Sequence, residues 1–267
     1  MNKRSTLALH TGREIPVLGL GSWEVMNDTA AVIEYALHLG YPMIDTSSDY
    51  GSQPGIAEGI KSSGIKRDDF YLVTKVEETD AAYDRVKSNL KELELDYADL
   101  MLIHRPPKNG AGVRLWEDLI KARNDGLTRD IGVSNYSAKL IDELIKRTNE
   151  TPVVNQIEWS PFGHDMDMLA YSQDKRILIQ AYSPLTRGER LNNKTLKQIA
   201  DKYGKSPAQV MIRWNLQQGV IPITKADEKD HLKEDIDVFD FELSNKDMKT
   251  LSDLNEKYSA LGSLPYV

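Results

Sequence analysis

Four side chains carry the chemistry open to this sequence: Asp45, Tyr50, Lys75 and His104. A tyrosine titrates near roughly pH 10 when unperturbed and is a weak acid at neutrality, but a neighbouring ammonium favours the phenolate and lowers that value. Lys75 would supply the charge, and Asp45 would keep Lys75 protonated and oriented through a charge-assisted bond. His104 would position a substrate oxygen or share the proton. Any one of the four alone would read as an ordinary structural or solvated residue; together they describe a proton donor with its tuning groups. Proton transfer coupled to cofactor chemistry is the class they fit. A hydrolytic barrel would need a nucleophile, a metal or a carboxylate pair. No HExxH or paired-carboxylate spacing occurs, and His10, His38 and His164 lack ligand spacing and read as structural or surface residues, so no metal is expected. The absence of cysteine removes disulfides, thiolate zinc sites, iron–sulfur clusters and thiol nucleophiles together.

For four such residues to meet, the elements that carry them must end at one place. Short strand-like runs alternate with amphipathic helices, which indicates a parallel sheet with helical crossovers. The strand candidates are residues 17–20, 43–45, 70–76, 98–103, 129–134, 153–158, 177–182 and 219–223. Eight such units predict an α/β fold of the (β/α)8 TIM barrel kind, with the active site at the C-terminal strand ends. Asp45, Lys75 and His104 fall at or near those ends, and Tyr50 on the loop after Asp45. Helices are read from apolar spacing and caps: Asp28 ahead of Val32, Ile33, Ala36 and Leu37 with Gly40 as the stop, and Ser137 ahead of Leu140, Ile141, Leu144 and Ile145. Tyr83, Val86, Leu90 and Leu93 form a further stripe, Ser206-Pro207 opens another helix, and Trp116 and Trp214 read as packing residues. Residues 6–9 and 14–16 form an N-terminal β-hairpin about Gly12, expected to close the barrel bottom. Extra C-terminal helices are expected near 227–234 and 245–258, with 259–267 trailing. No linker or repeat divides residues 1–267, which read as a single domain. A Rossmann sheet is the rival suggested by Gly19-Leu20-Gly21, but Glu24 stands where its fingerprint needs a third Gly or Ala.

Composition narrows the partners. The chain of 267 residues has 34 Lys and Arg against 41 Asp and Glu, a formal charge of −7, so no basic field exists to hold nucleic acid or anionic lipid. No stretch approaches the roughly 20 apolar residues of a membrane span, and no apolar run follows the basic start. A soluble, unprocessed, cytoplasmic protein is expected. Four Asn-x-Ser/Thr triplets, at Asn27, Asn135, Asn149 and Asn193, are read as unglycosylated.

Eight motifs then occur in order: Pro16-Val17-Leu18-Gly19-Leu20-Gly21-Ser22-Trp23, Ile44-Asp45-Thr46 with Tyr50-Gly51, Thr74-Lys75-Val76, Leu102-Ile103-His104-Arg105-Pro106, Ile131-Gly132-Val133-Ser134-Asn135, Val154-Asn155-Gln156-Ile157-Glu158, Ala181-Tyr182-Ser183-Pro184-Leu185 and Val220-Ile221-Pro222. Through these the chain resembles the aldo-keto reductase superfamily, in its prokaryotic form with a short C-terminal tail, along essentially its full length. The resemblance implies a reductase that passes hydride from NAD(P)H to an aldehyde or ketone, with Tyr50 as general acid and Asp45, Lys75 and His104 completing a tetrad. It further implies that Ser134, Asn135 and Gln156 bond the nicotinamide carboxamide and that Tyr182 stacks on the ring. Ser183 and Leu185 would approach the pyrophosphate, and Ser22 and Trp23 would border the nicotinamide and substrate.

Coenzyme choice is expected after the last strand, where Lys225 offers charge, Thr224 a hydroxyl, and the following helix its N-terminal amides to a 2′-phosphate. His231, where many family members have arginine, and Asp235 are the remaining expected contacts. NADPH is the expected coenzyme, with NADH possible because Asp227, Glu228 and Asp230 oppose added negative charge. Glu77 and Arg105 replace aromatic residues of many relatives and are expected to line a more polar pocket, suited to a carboxylated or oxygen-rich carbonyl. The short tail suggests an open pocket, Ser52-Gln53 departs from the usual Asn-Glu, and a monomer is expected from the fold. A second function consistent with these residues is a redox-sensing regulatory barrel that binds coenzyme with vestigial turnover. The intact tetrad favours the enzyme.

Overall fold

A computed structural model describes every residue except Met26 and Asn27; the triplet at Asn27 therefore lies outside the described residues. The chain opens with a hairpin of β1 (Thr6–Ala8) and β2 (Glu14–Pro16), turning at Gly12 with φ +85°. Then come β3 (Gly19–Gly21), α1 (Thr29–Leu39), β4 (Met43–Asp45), α2 (Gln53–Ser63), β5 (Tyr71–Val76), α3 (Ala82–Glu92), β6 (Ala98–Ile103) and α4 (Val113–Asn124). The second half contains β7 (Thr128–Ser134), α5 (Ala138–Thr148), β8 (Val154–Glu158), α6 (Met166–Lys175), β9 (Leu178–Tyr182), α7 (Lys194–Tyr203), α8 (Pro207–Gln217), β10 (Ile221–Thr224), α9 (Lys229–Ile236) and α10 (Asn245–Ser252). Strands β3 to β10 pair in parallel and close, β10 lying beside β3. The result is the expected (β/α)8 barrel.

Local chemistry sets the helix ends. Asp28 caps α1 by accepting from the Ala31 amide, and Gly40 ends it at φ +90°. Ser206 and Gln209 form a reciprocal capping box at the start of α8, satisfying two otherwise orphaned amides. Ser137 occupies the N-cap of α5 without a side-chain cap bond.

Strand alternation decides what faces the barrel interior. On β5, Val73 packs inside with Met43, Leu100, Val154 and Ile221, whereas Leu72 and Val76 face the helices. Two residues beyond Val73, Lys75 must also point inward. The same step places Asp45 above Met43, His104 above Leu102, and Gln156 above Val154. Leu9 and Ile15 of the hairpin region join the lower apolar layer, and Arg13 reaches Asp130 on β7 at 3.3 Å, so the hairpin plugs the bottom as expected. Trp116 and Trp214 are fully buried among the outer helices.

Several boundaries differ from the sequence expectation, for identifiable reasons. The first barrel strand begins at Gly19 because the Val17 amide bonds Ser5 O (3.2 Å) and stays with the hairpin. The last begins at Ile221, since Gly219, at φ +74°, closes the turn after α8. Helix α9 starts at Lys229 because the Asp227 carboxylate folds back onto Lys225. Helix α10 stops at Ser252, where the expected helix ran to Tyr258: the Glu256 and Tyr258 amides instead donate to Phe162 O, at 3.0 and 2.9 Å. The tail beyond is docked, not trailing. Glu158 accepts from Ser259 Oγ (2.5 Å) and the Ala260 amide (2.7 Å), and Tyr266 Oη donates to Glu158 O at 2.8 Å.

This docking depends on Gly163, where a Cβ would stand 1.9 Å from Tyr258 O. Gly163→Ala is expected to destabilise the protein by about 1–3 kcal/mol through overpacking against backbone, and to speed amide hydrogen exchange across residues 256–267. Exchange there at the wild-type rate would contradict the docked tail.

Candidate active site

At the top of the barrel one buried ion pair organises the neighbouring side chains. Lys75 has no exposed surface; its Nζ donates to Asp45 Oδ1 at 2.6 Å and to Thr46 O at 2.9 Å. The other Asp45 oxygen accepts from Gln156 Nε2 at 2.7 Å, and the same amide donates to Gln180 Oε1 at 3.1 Å. Burial pulls the ammonium's pKa down, but Asp45 and then Tyr50 more than offset it, leaving Lys75 above the ordinary lysine value and charged.

Tyr50 ends a short 3-10 turn (Ser48–Tyr50) that Ser47 caps and Gly51 closes at φ +67°. Lys75 Nζ lies 5.1 Å from the centre of its ring. Lys75 lowers the phenol's pKa as expected, but it does not decide the net direction. Burial is the largest influence and pushes the pKa up; Lys75 pulls it down by less, and the net direction is upward. The phenol is therefore held in its protonated, donor form.

His104 follows β6 and meets Tyr50 edge to face, with ring centroids 5.6 Å apart and Nε2 3.5 Å from the hydroxyl. Its Nδ1 is bonded to the Glu77 carboxylate, and Ser47 Oγ lies 3.5 Å from both partners. Glu77 was expected to line the substrate pocket; it sits behind His104 instead, because Val76 pairs with Ile103 across β5 and β6 and brings the next residues side by side. Burial pushes its carboxyl up, but His104, then Arg105 and Lys75, bring it net below the usual carboxylate range. Asp49, Glu77 and His104 offer atoms within 4.8 Å of one another, and of these Glu77 and His104 are bonded to each other.

A cleft of ≈ 690 Å³ opens above these groups. Its wall contains Asp45, Tyr50, His104 and Arg105; Trp23, Ser134, Asn135, Gln156 and Tyr182; and, further out, Ser183, Leu185, Lys225, His231 and Asp235. Four expected site residues lie outside the wall. Lys75 lies beneath it, Glu77 behind His104, Ser22 is buried against Ser52 Oγ at 3.0 Å, and Thr224 is fully buried. Asn135, at φ +65°, donates from Nδ2 to His104 O and Ser134 Oγ, both at 3.1 Å, and accepts from Tyr182 Oη at 2.8 Å. Burial, the largest influence, pushes the Tyr182 phenol well up.

The far end is less cationic than the sequence suggested. Lys225 Nζ is paired with Asp227 at 2.7 Å. Asp235 is pushed up to about 7, by burial first and then by Glu234. Sequence reasoning missed Arg187, whose guanidinium lies 4.4 Å over the Trp23 ring, together with Ser206, at the start of α8, and Leu261 of the tail. Arg187 directly follows Leu185-Thr186, so a basic residue just beyond the Ser-Pro-Leu motif was the available signal.

Closed parallel barrel, cleft at the strand ends and buried ion pair together have the form of a (β/α)8 barrel enzyme's site. Residues 17–256 match the model of the Aldo/keto reductase family. The chain belongs to that family, whose members are oxidoreductases using nicotinamide coenzymes on carbonyl substrates. It is 39% identical over 259 residues to a glyoxal reductase of Bacillus subtilis (strain 168), covering 95% of this chain and 94% of that one. Among solved structures it is similar to an aldo/keto reductase from Brucella melitensis, with TM-score 0.89, 37% identity, and coverage of 94% and 99%. A Bombyx mori aldo-keto reductase in complex with NADP is 30% identical, with TM-score 0.89 and coverage of 97% and 95%. Among the described residues no helix is long and apolar enough to cross a membrane.

Removing one member of a buried pair strands the other charge, at a cost of roughly 3–5 kcal/mol. Lys75→Met should lower stability by about that amount, and adding Asp45→Asn should recover part of it. A double variant less stable than Lys75→Met alone, in denaturant melts, would contradict the pairing.

Proposed function

We propose that this protein reduces small aldehydes or ketones to alcohols, preferring NADPH and accepting NADH, with Tyr50 as the proton donor. The observation that carries the reading is the buried Lys75–Asp45 pair lying directly under a protonated Tyr50 at the floor of the cleft. A coenzyme fits the residues present. Asn135 and Gln156 provide amides at the floor, Tyr182 an aromatic ring, and Lys225 and Arg187 cations along the wall. When bound, the coenzyme supplies the hydride.

The side chains do the rest. Burial keeps Tyr50 protonated, so it donates at neutral pH. As its proton leaves, the phenolate gains the full attraction of Lys75, an interaction stronger in the transition state than before it. Asp45 keeps Lys75 charged and in place, and His104 lies on the other side of the hydroxyl. Ser134, Asn135 and Gln156 would hold the carboxamide, Tyr182 would present the ring, and Ser183 and Leu185 would approach the pyrophosphate. Lys225 and His231 would favour the 2′-phosphate, while the Lys225–Asp227 pair and the Asp235 carboxyl would reduce the preference. Arg105 beside His104, and the likeness to a glyoxal reductase, support an oxygen-rich or carboxylated carbonyl.

The test is initial-rate oxidation of NADPH and of NADH against neutral and acidic aldehydes. Tyr50→Phe should lower turnover by roughly 10²–10⁴ while leaving coenzyme affinity unchanged. Coenzyme binding without reduction of any carbonyl would favour the redox-sensing barrel, and no binding of either coenzyme would refute the cofactor assignment. In the same assay Arg105→Ala should shift selectivity from acidic toward neutral aldehydes by about fivefold, the scale of one exposed ion pair. An unchanged ratio would remove the role given to Arg105.

A further inference from the structure

The His104–Glu77 bond has no part in the mechanism above, and each partner stands one residue past the end of its strand. The Glu77 carboxylate is charged at neutral pH and can only accept a hydrogen bond. Nδ1 of His104 must then be the donor. A neutral imidazole with its proton on Nδ1 has a bare lone pair on Nε2, and Nε2 is the nitrogen facing Tyr50 Oη at 3.5 Å. A second proton would have to go to Nε2. Ring orientation is set by Glu77 at Nδ1, with Ser47 Oγ at 3.5 Å beside it, while Asn135 Nδ2 fixes the backbone of His104 by donating to its carbonyl at 3.1 Å.

We propose that Glu77 is a positioning residue that holds His104 with Nδ1 protonated and Nε2 toward Tyr50, making Nε2 the station through which Tyr50 recovers its proton. The inference rests on the carbonyl-reductase reading. Each turnover moves one proton from Tyr50 Oη to the substrate oxygen. Solvent at the cleft delivers one proton to the Nε2 lone pair, and the phenolate left behind takes it, so that His104 ends neutral with its Nδ1–H still on Glu77. No atom is left over, and Glu77 remains a carboxylate throughout. The other charged or titratable groups around His104 are Asp49 and Tyr50 from the turn after β4, Lys75 on β5, Arg105 next in the chain, and Tyr182 through Asn135. All of these are retained in the variants below, so the differences between variants report on Glu77.

The experiment combines imidazole nitrogen NMR on the resting protein, with His104→Gln for assignment, and kcat with NADPH and an aldehyde that the wild type reduces. In the wild type the neutral His104 ring should carry its proton on Nδ1. In Glu77→Gln the tautomers should mix and kcat should fall by roughly 10-fold with the coenzyme KM unchanged. Glu77→Asp, which keeps the carboxylate, should restore part of the rate and the wild-type tautomer. An active wild type whose Glu77→Gln form shows the same tautomer and the same kcat overturns the proposal, as does an equal loss in Glu77→Asp and Glu77→Gln with unshifted nitrogens. A wild type that reduces no carbonyl defeats the reductase reading itself. The nitrogen shifts distinguish the two failures because they need no turnover.

Discussion

A lysine with no exposed surface holds its charge at the top of this barrel only because Asp45 accepts from it at 2.6 Å and Thr46 O at 2.9 Å. Desolvation of either ion alone would cost several kcal/mol, so the pair constrains everything around it. Gln156 must turn its amide to the second Asp45 oxygen, and Gln180 must accept the remaining proton of that amide. Tyr50 must lie over the ammonium rather than in solvent. The apolar layer of Val73, Leu100, Val154 and Ile221 below excludes the water that would otherwise screen the pair. A closed barrel provides these conditions at one end of its strands, with a buried polar layer resting on an apolar one and open space above.

Much of this arrangement is legible in the sequence, because strand alternation is a strict rule. Once residues 70–76 are read as a strand with Val73 inward, Lys75 is inward too, and the same logic places Asp45, His104 and Gln156. The convergence of Asp45, Lys75 and His104 is therefore a consequence of period and strand count, while Tyr50 is brought over them by the turn after β4; the ordered motifs agree with this. Glu77 shows where the rule ends. It lies past the last paired residue of β5, where the period no longer fixes side-chain direction, and only the Val76–Ile103 register shows that it meets His104. Its replacement of an aromatic residue pointed to pocket polarity; the geometry makes it a partner of the imidazole.

Other misreadings share a cause: a contact between residues far apart in sequence, or a local pairing that the charge count hides. The docked tail is invisible to periodicity because its anchors are the Phe162 carbonyl and the Glu158 carboxylate on the far side of the barrel. Lys225 reads as a free cation in sequence, yet its Asp227 neighbour is close enough to pair with it. Arg187 adopts φ +50° in the segment after β9 and comes to rest over Trp23, a placement no propensity scale would suggest. These contacts decide the rim of the cleft, and hence selectivity, whereas the strand pattern decides its floor.

The central claim is that the Lys75 charge, pinned by Asp45, enables Tyr50 to release its proton. The most direct measurement is the single-turnover rate of bound-NADPH oxidation by a carbonyl in Lys75→Met, on material whose near-ultraviolet circular dichroism matches the wild type. The account predicts a fall of roughly 100-fold or more with coenzyme affinity unchanged. A Lys75→Met protein that oxidises bound NADPH within a few-fold of the wild-type rate would contradict it.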